Sequence, residues 1–215
     1  MKIGEVKYLR ILRDATIELK EKRSLFLGHC RLSRSEEEAK CKLRELVDRY
    51  RDATHNCWAY RVGVSPSTEY YSDAGEPSGS AGKPILGAIR RACVADVIVV
   101  VTRYFGGIKL GMRGLIETYG MTANLVLKAA GNCLFVPTAS LNVVTSYEFQ
   151  RKVFSMLKPF GISEDKAVFV YDETVSFDIL VPLEVLAEVE DLFSNLSSSG
   201  QIISWKRLPI VKSID

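Results

Sequence analysis

Asp96-Val97-Ile98-Val99-Val100-Val101-Thr102 runs without a break into Arg103-Tyr104-Phe105-Gly106-Gly107-Ile108-Lys109-Leu110-Gly111-Met112-Arg113-Gly114. The first seven residues are mostly β-branched, which predicts a strand buried on both faces. The next twelve are dense in glycine and basic residues and read as a loop. Beyond them Leu115, Thr118, Tyr119, Thr122, Leu125, Val126 and Ala129 recur at helical spacing, and the stripe stops at Gly131, a C-cap candidate.

Upstream, Thr16 to Lys20 and Ser24 to Cys30 read as strands around the polar turn Glu21-Lys22-Arg23. Ser33 and Ser35 are N-cap candidates, each with a glutamate three residues on, the capping-box spacing. The helix they open carries Ala39, Leu43, Leu46, Val47 and Tyr50 on one face. Cys57 to Val64 predicts another strand, and a polar, glycine-rich passage fills Ser65 to Gly82. Pro84 suits the first turn of a helix reaching about Val94.

Downstream of Pro137 the pattern is β-α-β-β-α-β: Leu141 to Ser146, Glu148 to Lys158, a hairpin of Ala167–Tyr171 and Val175–Val181, a helix opened by Pro182, and Ile202 to Leu208. That order predicts a ferredoxin-like domain. The expected organisation is therefore α+β with two domains, residues 1–137 and 138–215.

Charge separates the same two parts. Residues 1–137 carry a net +7 and residues 138–215 a net −4, which together give the +3 of all 215 residues. A basic first part is suited to a polyanion, and a solvated surface is the plainer explanation of a mild excess. With 47% hydrophobic and 26% charged residues the composition is that of an ordinary soluble protein and excludes a disordered or collagen-like chain. Val97 to Val101, the longest apolar run, is too short for a bilayer. Met1-Lys2-Ile3-Gly4-Glu5 has no apolar core of a secretory signal. Cys30, Cys41, Cys57, Cys93 and Cys133 show no paired spacing, so reduced thiols and a cytoplasmic location are expected.

Two loops could carry chemistry. Ser72 to Pro84 places Asp73, Glu76, three glycines and Lys83 before a helix, where backbone N–H groups attract anions. A nucleotide P-loop is excluded, because Pro77 stands where its first glycine belongs and Pro84 where its Ser/Thr would hold magnesium. Phosphate contact and a structural turn-and-cap both stay open. In the second loop Arg103, Lys109 and Arg113 alternate with glycines and with the rings of Tyr104 and Phe105, a mixture that can grip a sugar-phosphate backbone. The alternative is that Phe105 and Leu110 are core and the glycines serve turns.

His55 and Cys57, two apart on a strand, share a face and raise the question of a base and a nucleophile. A small buried thiol is the commoner role for such a cysteine. With only His29 and His55 in the chain, a multi-histidine metal site is not expected. Asp73 and Glu76 could bind a hard cation, although exposed turn acids are the simpler reading. Trp58 and Trp205 read as packing residues. No metal or cofactor is expected.

Taken in order, His55-Asn56-Cys57, Ser72-Asp73-Ala74-Gly75-Glu76-Pro77-Ser78-Gly79, Ala81-Gly82-Lys83-Pro84 and Arg103 to Gly111 resemble the signature of the IMPACT/YigZ family. The resemblance covers most of residues 16–131, and the tail from about 139 to 208 is similar to the small second domain of bacterial members. It implies a first domain with the fold of elongation factor G domain four and a small-subunit ribosomal protein, and a second similar to that factor's last domain. Two positions depart: Ala74 stands where the family has a second acid, and Arg113 where it has glycine. The eukaryotic members regulate translation by competing for the ribosome-associated activator of a starvation kinase, and they carry an added N-terminal interaction domain for which this chain is expected to have no room.

The resemblance and the charge pattern together point to a non-enzymatic, translation-associated factor that binds RNA or the ribosome. Lys83, Arg103, Lys109 and Arg113 are the expected phosphate contacts, and Tyr104 the stacking or loop-positioning residue. A protein partner is expected for the acidic second domain, and no membrane. The rivals are a small hydrolase using His55 and Cys57 with Asp73 and Glu76, and a purely protein-binding regulator.

Overall fold

The computed structural model describes residues 8–64 and 66–209. The expected signal-free start at Met1–Glu5, the outer ends of both expected domains (1–7 and 210–215) and Ser65 of the polar passage lie outside the described residues. The chain divides into two compact units, one spanning Tyr8–Phe135 and one comprising the described residues from Val136 onward.

The first unit contains β1 (Tyr8–Ile11), β2 (Ala15–Glu21), β3 (Ser24–Leu32), α1 (Glu36–Arg49), β4 (His55–Val62), β5 (Thr68–Ser72), α2 (Gly82–Arg91), β6 (Val97–Tyr104), α3 (Gly111–Ala130) and β7 (Asn132–Phe135). Its main sheet has the order β2-β3-β6-β4-β5, and every neighbouring pair is antiparallel. β1 and β7 form a separate two-stranded ribbon. The β-branched run lies in the middle of the sheet, as its composition predicts. Val97, Val99 and Val101 pack with Ile85 and Ile89 of α2 and with Tyr119 and Val126 of α3. Ile98 and Val100 face the other way, onto Ala39 and Leu46 of α1. The sheet is thus a middle layer between helices.

Ser35 rather than Ser33 caps α1: its Oγ accepts from the Glu38 N–H at 3.2 Å, and Glu38 in return accepts from the Arg34 N–H at 2.8 Å. β2 and β3 are joined at Lys22-Arg23, whose φ values of 44° and 65° are those of a mirror-type hairpin turn. α3 ends at Gly131 (φ 65°), the expected cap, but begins at Gly111, four residues before the apolar stripe. The long glycine-rich loop is therefore shorter than its sequence suggests, because Gly111 to Gly114 belong to the helix.

The second unit contains β8 (Thr138–Thr145), α4 (Tyr147–Leu157), β9 (Val168–Tyr171), β10 (Val175–Pro182), α5 (Leu186–Ser198) and β11 (Ser204–Arg207). Its antiparallel sheet has the order β11-β8-β10-β9. The core joins Leu141, Val143, Phe177 and Ile179 of the sheet to Phe154, Leu157, Val189 and Phe193 of the helices. Pro182 is a correction: it closes β10 opposite Thr138, and α5 starts four residues later. No helix among the described residues is long and apolar enough to cross a membrane.

Candidate functional site

β4 and β6 are neighbours, with His55 opposite Arg103 and Cys57 opposite Val101. Because alternate residues of a strand share a face, Arg103 continues the series Val97, Val99, Val101 and points into the unit. There its Nη1 donates to Glu76 Oε1 at 2.6 Å. The Tyr119 hydroxyl donates to the same oxygen at 2.8 Å, and Arg103 Nη2 donates to Ser24 Oγ at 3.5 Å. The guanidinium carbon lies 5.5 Å and 5.3 Å from the ring centres of Phe26 and Phe105. The Arg103 and Glu76 side chains are 6% and 3% exposed. Two opposite charges can be withdrawn from water this far only when they meet each other and further donors or acceptors. Burial pushes the Tyr119 phenol well above its ordinary range, so it stays a donor.

Two expectations are corrected here. Arg103, expected to contact phosphate, is internal and neutralised by Glu76. Glu76, read as an exposed turn acid, is one of the most enclosed carboxylates of the unit. Tyr119 was visible in sequence only as a member of the α3 stripe, and Ser24 only as a strand start; neither carried a signal of its polar role.

His55 is positioned from its far side. Its Nδ1 lies 2.9 Å from the Ala74 carbonyl oxygen, which can only accept, so Nδ1 carries the hydrogen. Nε2 lies 4.0 Å from Glu76 Oε2. Cys57 shares this face of β4 but is fully buried, with Sγ 2.9 Å from the Asp73 carbonyl oxygen and 3.4 Å from the Tyr119 hydroxyl. Burial pushes its thiol up to about 12, so it remains protonated and closed to a substrate.

The Asp73 carboxylate accepts from the backbone N–H groups of Gly79 (2.8 Å), Ala81 (2.9 Å) and Gly82 (2.8 Å). The start of α2 is thus occupied by the chain's own acid, which supports the turn-and-cap reading of that segment. His55, Cys57, Asp73 and Glu76 are close together, yet only His55 and Glu76 line a cleft. Among the described residues no group of three or more His, Cys, Asp or Glu is placed to hold a metal ion.

That cleft, of about 430 Å³, has His55, Glu76 and Arg103 as its floor and Phe105, Lys109, Leu110, Met112 and Leu115 among its walls. Gly106 lets its rim pass against the β2–β3 turn, since a Cβ there would fall 1.9 Å from the Arg23 carbonyl oxygen. The first turn of α3 opens beside the cleft with no side-chain cap and no acid. Lys109 is exposed on the wall. Arg113, with its side chain 91% exposed, donates to Glu117 Oε1 at 2.8 Å. The Tyr104 hydroxyl turns to the opposite side of β6 and donates to Asp52 at 3.0 Å. Lys83 is exposed in the first turn of α2 and does not line the cleft. A wider groove of about 900 Å³ borders β5 and α2, but there Glu69 is held by Arg61 and Arg90, and none of the residues singled out in the sequence is present.

Residues 22–127 match the model of the Impact N-terminal domain. The chain is 37% identical over 124 residues to the IMPACT family member YvyE of Bacillus subtilis, covering 58% of this chain and 57% of that one. It is 45% identical over 108 residues to an IMPACT family member of Thermus thermophilus, encoded in the pol 5′ region, covering 50% and 57%. The matches thus span little more than half of these relatives' own length. A crystal structure of a hypothetical protein superposes over 96% of this chain and 98% of its own, with a TM-score of 0.64 and 26% identity.

Proposed function

The chain belongs to the IMPACT/YigZ family, and we propose that it is a non-enzymatic, translation-associated regulator whose first unit meets structured RNA or the ribosome. The observation that carries the reading is the start of α3, a helix terminus without a cap, flanked by the exposed cations Lys109 and Arg113 beside an open cleft. Helix N–H groups and ammonium or guanidinium tips are the ordinary means of holding phosphate. Lys83 adds a third exposed cation on the same unit, and Tyr104 steadies the loop through Asp52. The acidic second unit would meet a protein partner.

The hydrolase rival loses its nucleophile, since Cys57 is sealed and protonated. A purely protein-binding regulator has a specific observation in its favour: Phe105, Ile108, Met112 and Ile116 are each 41–51% exposed around the same rim. Two measurements separate the readings. RNA affinity should fall steeply with salt, and Lys109→Ala with Arg113→Ala should lower the slope of log affinity on log salt by roughly 1.5. Ribosome co-sedimentation that is lost on nuclease treatment supports RNA contact, whereas co-sedimentation that survives it supports the protein partner.

A further inference from the structure

Glu76 Oε2 and His55 Nε2 face one another at 4.0 Å, and neither has another partner among the described residues. Arg103 and Tyr119 occupy only Oε1 of Glu76. The Ala74 carbonyl takes the Nδ1 hydrogen, so in its uncharged form the ring turns the Nε2 lone pair towards the carboxylate. Two acceptors set opposite each other on the floor of a cleft can be bridged by one group that carries two hydrogens, and an amino group of an occupant supplies both. An amino nitrogen at ordinary hydrogen-bond distance from each, ~2.9 Å, closes a triangle on that 4.0 Å edge.

The walls describe the rest of the occupant. Phe105, Leu110, Met112 and Leu115 offer apolar surface to a flat ring. Lys109 and the uncapped first turn of α3 offer positive charge at the mouth. An amino donor at one end, a ring in the middle and an anion at the other end describe a nucleotide whose base carries an exocyclic amine. We propose that the cleft takes one unstacked base of single-stranded RNA that carries an exocyclic amine (adenine, cytosine or guanine), its amine between Glu76 and His55 and its phosphate at Lys109. This rests on the RNA reading above and adds a base preference to it, a role distinct from the non-specific phosphate grip of the rim.

The test uses the full chain and fluorescence anisotropy of labelled eight-nucleotide RNAs: oligo-adenosine, the same oligomer built from purine riboside, which lacks only the exocyclic amine, and oligo-uridine. At least a tenfold preference for the adenosine oligomer is expected, and His55→Phe should abolish that preference. His55 is the variant of choice because Glu76 also supports the fold; Lys109→Ala should weaken all three oligomers and leave their ranking unchanged. Equal, salt-sensitive binding of the three would overturn the base pocket and leave the RNA reading standing. Absence of oligomer binding even at low salt would overturn the base pocket, and ribosome co-sedimentation that survives nuclease treatment would overturn the RNA reading as well. In a second arm with mononucleotides, selection of AMP over purine riboside 5′-monophosphate by a protein that ignores the oligomers would assign the cleft to free nucleotides and overturn its role in RNA binding.

Discussion

Arg103 Nη1 and Glu76 Oε1, from elements 27 residues apart, meet at 2.6 Å with almost no exposure to solvent. Removing one partner leaves the other as an uncompensated internal charge. Arg103→Met alone should cost about 3–5 kcal/mol of stability. Arg103→Met with Glu76→Leu should cost far less than the two single changes added together, because no charge is then left behind. Urea unfolding of the four proteins measures the coupling, and additive losses would show the two side chains acting independently.

Asp73 holds three N–H groups at the start of α2. Asp73→Ala should destabilise the first unit by about 2–3 kcal/mol. Hydrogen exchange at the Gly79, Ala81 and Gly82 amides should accelerate in the variant, a local signature that a general loss of packing would not confine to those sites. Unchanged exchange would show that the cap contributes nothing.

Ala74 adopts φ 45°, a left-handed conformation that costs an alanine roughly 1–2 kcal/mol. Asparagine and aspartate tolerate it better. Ala74→Asp and Ala74→Asn should therefore each raise the unfolding midpoint, by up to about 1 kcal/mol in stability. Ala74→Val should lower it. A destabilising Ala74→Asn would count against backbone strain at this turn.

His29 is buried, with Nδ1 3.2 Å from Thr16 Oγ1 and its ring stacked on Tyr50. Burial, reinforced by Arg31 and Arg49, lowers its pKa from 6.5 to about 4. The unfolded chain takes up this proton near pH 6.5, while the folded chain resists it until near pH 4. Stability from this group is therefore complete above pH 6.5 and is lost as the pH falls towards 4, by about 3 kcal/mol in all. Thermal unfolding across that window should show a shallower decline in His29→Phe than in the parent. Parallel curves would place the acid sensitivity elsewhere.

The parts of the fold that were readable in advance are those in which local pattern and tertiary burial agree. The run at Val97–Val101 could be buried only on both faces, and Ser35 with Glu38 could cap only one helix. The β-α-β-β-α-β order after Pro137 likewise carries its own periodicity. β1, β7 and β5 were missed for the opposite reason: each is four or five residues long, and pairing with a distant strand, rather than any internal pattern, makes it a strand. The site was misread by the same small margin. Ending β6 at Thr102 leaves Arg103 in a loop among other cations, whereas two further residues of strand carry the alternation on and turn it inward. Glu76 and Tyr119 could not be paired from sequence, since 43 residues separate them and each taken alone has an ordinary explanation.

Gly106 has no room for a methyl group because the Arg23 carbonyl fills that space, and Arg23 sits in a tight turn 83 positions earlier in the chain. The edge of the cleft and the tip of that hairpin are therefore one mechanical part. A change at Lys22 or Arg23, which lie outside the set of cleft-lining residues, would reshape the opening as surely as a change in its wall, so the hairpin is a remote handle by which the cleft can be adjusted or disabled.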